Sequence, residues 1–336
     1  EVVAGLTTFL TMAYIIFVNP SILQNAGMDF GAVFMATCLA AAFGSAFMGL
    51  YANYPIALAP GMGLNAYFTF GVVKGMGFTW QVALGAVFIS GLLFLAISLF
   101  KVREWIIDAI PKSMKLGIAA GIGFFLAIIA LENARIIVAH PATLVTLGDV
   151  KSAPVILATL GLVLIAGLSA LRVPGAILLS ILVVTFVAIG MGLQKFGGIA
   201  SAPPSIAPTF LQMDIKGALA VGLWAIIFVF LFVDLFDNTG TLIAVAHRGG
   251  FLDKDGKLPR IGKALTVDST SAFVGAALGT STTTSYIESA AGVDAGGRTG
   301  LTAVVVALCF VAAIFFAPLA GSVPAFATAP ALFFVA

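Results

Sequence analysis

The chain has 336 residues, of which 61% are hydrophobic and 9% charged, with a net charge of +2; its mean hydropathy is +1.16. Soluble domains carry about 45–50% apolar and about 25% charged residues, so a soluble fold is excluded and the chain reads as a polytopic integral membrane protein. Its apolar runs approach the roughly 20 residues of a spanning helix, which excludes a β-barrel of ~10-residue alternating strands, and the near-neutral charge gives no sign of a nucleic-acid partner.

Span 1 is predicted over residues 2–23, too long for a signal peptide and without a small-residue cleavage site. Span 2 follows over 32–53. Span 3, over 55–73, is broken: it reads ALAPGMGLNAYFTF from 57 to 70, where Pro60, Gly61 and Gly63 make a continuous helix costly. Span 4 covers 80–100, and residues 103–110 read as a short amphipathic helix in the membrane interface. Spans 5, 6 and 7 are placed at 115–131, 154–171 and 174–193, followed by a polar, Pro-rich loop over 197–216. Span 8, over 224–246, contains Asp234 and Asp237. A charged loop at 247–263 leads to span 9, over 264–278. Segment 10, over 280–293, follows on the polar, β-prone run GTSTTTS at 279–285. Span 11 covers 299–319, and a twelfth begins near Pro324 and is cut off by the end of the chain. Cys38 and Cys309 lie inside apolar helices, where a thiol acts as a small hydrophobe. His140 and His247 sit near loops. No disulfide, metal site or cofactor is expected.

With the N-terminus in the cytoplasm, the cytoplasmic loops hold Lys101, Arg103, Lys112, Lys115, Arg172, Arg248, Lys254, Lys257, Arg260, Lys263 and Arg298. The outside holds Lys74, Arg135, Lys151, Lys195 and Lys216, which is eleven against five and supports this orientation. The order broken segment 3, apolar span 4, Pro-led span 5 at Pro111 is repeated as broken segment 10, apolar span 11, Pro-led span 12 at Pro324. The offset of seven spans is odd, so the second copy is inverted. A complete pattern has 14 spans, and this chain ends within the twelfth.

Backbone that leaves the helix at bilayer depth must be buried in protein or line a cavity, and paired interrupted segments point to a transporter site. An ionisable group at that depth reads as a substrate, ion or proton site. Asp234 and Asp237, three apart, share a helix face that Asn238 and Thr241 extend. Two carboxylates so close in low dielectric do not both hold charge, which suits a proton carrier. The plainer alternative is a neutral Asp bonded to a neighbouring helix. Glu288 stands near a helix start, where the dipole favours a carboxylate; it could accept hydrogen bonds from a planar ligand's N–H groups, or simply cap the helix. Asn65 follows the break in span 3 and offers donor and acceptor together, which suits a heterocycle edge or the unsatisfied backbone of the break. Thr283 and Ser285 are substrate candidates with the same backbone alternative, shared by Thr282 and Thr284. Tyr14, Tyr67, Phe68 and Tyr286 could stack on a ring. Asp268 and Asp294, nearer predicted helix ends, read as caps or interface residues.

The stretches FVDLFDNTGT (232–241), GTSTTTSYIESAAG (279–292), AGGRTG (295–300), APGMGLNAY (59–67) and TTFLTMAY (7–14) together resemble the AzgA-like purine permeases of the nucleobase–cation symporter family, across essentially the whole chain. The resemblance implies an all-α 7+7 inverted-repeat transporter, with spans 3 and 10 each carrying a short strand. It assigns residues 1–101 (spans 1–4) and 217–320 (spans 8–11) to a core domain. Residues 102–196 (spans 5–7) and 321–336, the start of span 12, fall in a gate domain. It implies import of adenine, guanine or hypoxanthine by proton symport with elevator-like access, in the cell membrane, and a homodimer paired through the gate domain. Substrate positions carried over are Asn65, Asp234 and Glu288, and Asp237 matches a second span-8 acid needed for transport. Proton coupling is thus assigned to Asp237, Asp234 and Glu288, with Na+ left open as the coupling ion.

An anion transporter or exchanger of the same architecture needs half-helix N-termini and a cation facing its ligand, and no Lys or Arg falls inside spans 3, 8 or 10. An intramembrane aspartyl protease needs two Asp on facing helices, whereas Asp234 and Asp237 share one. No repeated pore signature suggests a channel, and no enzyme activity is expected.

Overall fold

The computed structural model describes residues 1–99, 112–220, 223–254 and 257–336. The amphipathic helix expected at 103–110, and Pro111 at the head of span 5, lie outside them. The N-terminal helices are α1 (Val2–Met12), α2 (Ile15–Gln24) and α3 (Phe30–Phe47), the last prolonged by a π-helical turn over Met48–Ala52. Strand β1 (Leu58–Pro60) leads into α4 (Met62–Ala66), which widens into a π-helix over Tyr67–Gly75, and then α5 (Trp80–Leu99). Next come α6 (Lys112–Asn133), a hairpin of β2 (Ile137–His140) and β3 (Leu144–Leu147), α7 (Ala153–Ala170), α8 (Ala176–Gly190) and the short α9 (Ile215–Leu219). The second half holds α10 (Trp224–Gly249), α11 (Ile261–Leu278), β4 (Thr283–Ser285) and α12 (Ser289–Asp294). It ends with α13 (Gly300–Ala313), α14 (Ala317–Gly321) and α15 (Ala325–Val335).

Among the described residues, six helical stretches are long and apolar enough to cross a membrane: Val2–Gln24, Phe30–Ala52, Trp80–Leu99, Ala153–Ala170, Trp224–Gly249 and Gly300–Gly321. The other expected spans are filled by shorter helices, or by ones as polar as α11, which carries Asp268, Ser269 and Ser271. Span 1 is not one straight helix. It breaks at Ala13–Tyr14, just before Ile16, whose carbonyl loses its partner because Pro20 has no N–H. The loop after span 5 is not structureless either, because β2 and β3 pair antiparallel from Ile137↔Leu147 to His140↔Leu144.

The two interrupted segments meet. Strands β1 and β4 pair antiparallel, with Leu58 opposite Ser285, Ala59 opposite Thr284 and Pro60 opposite Thr283. Gly61 N–H donates to the Thr282 carbonyl (2.9 Å) and Tyr286 N–H to that of Ala57 (2.9 Å), extending the ladder at both ends. The outer edges are closed by side chains. Leu58 N–H donates to Ser45 Oγ (2.9 Å), Ala57 N–H to Ser289 Oγ (3.0 Å) and Ser285 N–H to Asn238 Oδ1 (2.7 Å). Pro60, which has no N–H to give, sits where none is needed. This accounts for much of the backbone that leaves the helix at depth, as an environment without water demands.

Around this pair, α11 packs on α5 and α3, α13 on α3 and α1, and α12 on α1 and α10. A second group is centred on α15, which contacts α6, α7 and α8. The groups meet where α6 reaches α4, where α1 reaches α8 and where α15 reaches α2. Gly292 makes the α12–α1 approach feasible, since a Cβ there would lie 2.7 Å from the Ala4 carbonyl oxygen. Exposed Leu50, Phe124, Val163 and Leu308 mark faces suited to lipid.

Candidate functional site

A cavity of about 210 Å³ lies beside the strand pair, bounded by the start of α4, by α6, by α10 and by the link from β4 to α12. That is below the roughly 300–1,000 Å³ of pockets for drug-sized ligands and suits a small solute. Its acidic groups are Asp237 from α10 and Glu288 from the start of α12. Glu288 occupies the N-cap position of α12 but makes no side-chain cap bond; its carboxylate instead accepts from the Tyr14 hydroxyl. The interruption of span 1 puts Tyr14 there. Tyr286 lines the same space, held by its hydroxyl donating to the Pro60 carbonyl at 2.6 Å. Gly61 to Leu64 also line it, and the first N–H groups of a helix such as α4 have no carbonyl partner within it. Gly61 N–H is taken by the Thr282 carbonyl, so the donors this part of the lining offers are those of Met62, Gly63 and Leu64. No Lys or Arg lines the cavity among the described residues.

The expected site residues divide. Glu288, Asp237 and Ser285 line the cavity, whereas Asn65, Asp234 and Thr283 are fully buried and do not. The expectation that Asn65, Asp234 and Glu288 converge on one cavity is corrected accordingly. Asn65 Nδ2 donates to Asn19 Oδ1, and Asn65 Oδ1 accepts from Ser281 Oγ. Asn19 in turn donates to Thr37 Oγ1 (2.7 Å) and Thr280 Oγ1 (2.8 Å). The amide thus ties both broken segments to α2 and α3 through side chains, and it makes no bond to the backbone of the break among the described residues. Asp234 is not part of the cavity lining and accepts from Asn238 Nδ2 at 2.8 Å. Alternation along β4 explains the rest: Thr284 faces the cavity side, while the side chains of Thr283 and Ser285 face α11, Thr283 beside Gly275 and Ser285 donating to Asp268 at 2.7 Å.

Asp268 is the residue whose position the sequence misjudged. It is neither a cap nor an interface residue but a fully buried side chain. With the helix start read at Ala264, Asp268 fell in the first turns; α11 begins at Ile261 instead, which places it two turns inside. The run Asp268, Ser269, Thr270, Ser271 inside an otherwise apolar segment was the available signal. Asp294 does lie at an exposed helix end, bonded by Arg248 Nε at 2.8 Å.

Interrupted helices crossing at a strand pair, with a small acidic cavity beside them, define a membrane transporter rather than an enzyme. The chain belongs to the permease family described by the Xan_ur_permease model, which matches residues 1–336. It is 52% identical over 335 residues to the adenine permease AdeP of Escherichia coli K12, spanning all of this chain and 75% of that protein. It is 47% identical over 343 residues to the guanine/hypoxanthine permease PbuO of Bacillus subtilis 168, spanning all of this chain and 79% of that one. These relatives agree with the resemblance carried by the motifs. The fold is shared with the transmembrane domain of the cyanobacterial bicarbonate transporter BicA, at a TM-score of 0.76 and 17% identity over 99% of this chain and 86% of that one.

Proposed function

We propose that this chain carries the translocation site of a permease that imports purine nucleobases (adenine, guanine, hypoxanthine) by proton symport. The observation that carries this reading is the cavity itself, lined together by the carboxylates of Glu288 and Asp237, by the first turn of α4 at Met62 to Leu64, and by Tyr14 and Tyr286. A purine presents ring N–H groups, ring-nitrogen acceptors and a π face, which match those three features. AdeP and PbuO, named for adenine and for guanine/hypoxanthine, support the substrate class.

In this reading Glu288 accepts from purine N–H groups and Asp237 exchanges a proton with the cavity. Asp234, Thr283 and Asn65 support the site from behind, and Ser285 bridges cavity and support. The 7+7 inverted repeat, with a core domain (1–101 and 217–320) and a gate domain (102–196 and 321–336), gives elevator-like alternating access. The packing of α15 on α6, α7 and α8 is consistent with the gate grouping. The N-terminus is cytoplasmic by the eleven-to-five distribution of Lys and Arg, the membrane is the cell membrane, and a dimer forms through the gate domain.

The fold shared with BicA raises anion transport as a second reading, but an acidic cavity without a lining cation disfavours it. The test is uptake of radiolabelled adenine against sulfate and uracil in cells lacking their own permeases, with and without a proton uncoupler. Adenine uptake abolished by the uncoupler is the expected result. Sulfate uptake without adenine uptake would overturn the proposal.

A further inference from the structure

Behind β4, on the side away from the cavity, a second polar cluster lies closed in protein. Asn238 Nδ2 donates to Asp234 Oδ1 (2.8 Å) and Asn238 Oδ1 accepts from Ser285 N–H (2.7 Å). Ser285 Oγ then donates to Asp268 Oδ1 (2.7 Å). This chain joins two fully buried carboxylates on different helices, α10 and α11. Each leaves one oxygen, Asp234 Oδ2 and Asp268 Oδ2, without a hydrogen-bond partner among the described residues. Two buried hydroxyls close to the same helix and strand faces, Ser271 Oγ and Thr283 Oγ1, are unpartnered as well. Ser271 lies one turn beyond Asp268 on α11, against α3 at Gly44, and Thr283 lies against Gly275.

Among the described residues, no cation compensates the charge of Asp268. The charges that reach it from α10 are of its own sign: Asp237 acts on Asp268, and Asp268 and Asp237 both act on Asp234. Helix α5 and strand β1 carry no titratable side chain, α3 with its π-helical turn brings only Cys38 and Tyr51, and Lys263, the one cation of α11, lies over the Tyr51 ring. A buried carboxylate pair with no counter-ion is strongly unfavourable when both are charged. A single proton resolves this, because it removes one charge and turns one unpartnered oxygen into a donor.

We propose that Asp268 and Asp234 form a proton-holding pair behind β4, separate from the substrate cavity, and that this pair holds the proton whose gradient drives transport. The proposal rests on the nucleobase-symport reading above. Placing the pair directly behind β4 couples it to the site, since Ser285 both lines the cavity and bonds Asp268.

The purified protein is reconstituted in liposomes, and adenine accumulation under an inward proton gradient is compared with adenine counterflow at equal pH. Infrared difference spectra between acid and alkaline pH are recorded on the same samples. One pH unit is about 1.4 kcal/mol, so a one-proton symporter concentrates a neutral substrate about tenfold across it. Asp268→Asn is expected to reduce that ratio to about one while counterflow persists, and to remove a protonated-carboxyl carbonyl band that Asp237→Asn retains. Ser285→Ala, a milder change, is expected to move the pH at which that band titrates. Full accumulation by Asp268→Asn, or an unaltered band in both Asp268→Asn and Ser285→Ala, overturns the proposal. Accumulation that follows Na+ and is insensitive to pH, and that Asp268→Asn abolishes, overturns the proton assignment. If the unaltered protein moves no adenine, the symport reading fails, and the infrared comparison still decides whether the pair holds a proton.

Discussion

Glu288 and Asn65 show how differently two polar side chains on interrupted segments can be used. Glu288 faces the cavity and its bond from Tyr14 leaves it further acceptor capacity. Glu288→Gln keeps the shape, removes the charge and replaces one acceptor by a donor, so adenine binding is expected to weaken by about 1–3 kcal/mol. Calorimetric titration of the purified variant measures this, and unaltered affinity would remove Glu288 from the binding site. Asn65 is buried within bonds to Asn19 and Ser281. Asn65→Ala leaves both partners unsatisfied, and the expected loss is about 1–3 kcal/mol of stability, seen as a lower melting temperature in detergent. Adenine that binds the folded fraction with unaltered affinity supports the supporting role; full thermal stability with lost binding would make Asn65 a ligand contact. The sequence could place Asn65, Asp234 and Asp237 in the right neighbourhood because polar residues in apolar spans are conspicuous. It could not say which side of the strand pair each one faces, since that depends on strand register and helix rotation. Asp268 was hidden for another reason: helix boundaries read from sequence drift by about two to four residues, and moving the start from Ala264 to Ile261 converts a helix end into an interior.

At the scale of elements, the strand pair was legible because Pro60, Gly61 and Gly63 forbid an easy helix and the Thr282–Ser285 run favours extended backbone. The β2–β3 hairpin was not, because its exposed strand Leu144–Leu147 carries no alternation of burial to read. The close approach of α12 to α1 depends on Gly292, where a side chain would strike Thr8 and the Ala4 carbonyl. Gly292→Val is therefore expected to destabilise the protein by about 1–3 kcal/mol through overpacking, and an unchanged melting temperature would show that α1 can give way. The neighbouring Glu1 carboxylate accepts from Arg298 N–H (3.0 Å), Thr299 N–H (3.3 Å) and Thr302 Oγ1 (2.6 Å), tying the start of α1 to that of α13. Partial burial pushes its carboxyl up, but the bonds from Thr302, Arg298 and Thr299 outweigh this and bring it down to about 2 from its ordinary 4.5. A carboxyl lowered on folding contributes its stability above 4.5 and loses it progressively as pH falls toward 2. The protection of the Thr299 amide, its exchange rate relative to the intrinsic rate at each pH, is expected to fall over that interval, and Glu1→Gln to show the lower protection without the pH step.

For the whole molecule, the decisive interface is the one where α6 of the second packing group meets α4, because the cavity lies across it. In elevator-like access that interface has to slide, while α10, α11 and the strand pair move together as one packed body. Gly63 and Ile122 meet there: a Cβ on Gly63 would lie 2.7 Å from Ile122 Cγ2. A disulfide spans Cβ atoms about 3.5–4.5 Å apart, so Gly63→Cys with Ile122→Cys can be bridged in this conformation once Cys38 and Cys309 are replaced by Ser. Oxidation is expected to stop adenine uptake into liposomes and reductant to restore it, with each single-cysteine variant indifferent to both. Because the bridge also narrows the cavity wall, adenine binding to the oxidised protein is measured alongside. Retained binding with lost uptake isolates the motion, whereas an oxidised, fully bridged protein that still transports at the reduced rate would mean that α4 and α6 keep their contact throughout the cycle. In that event the moving boundary would have to run elsewhere, along contacts such as those of α1 with α8 and of α2 with α15.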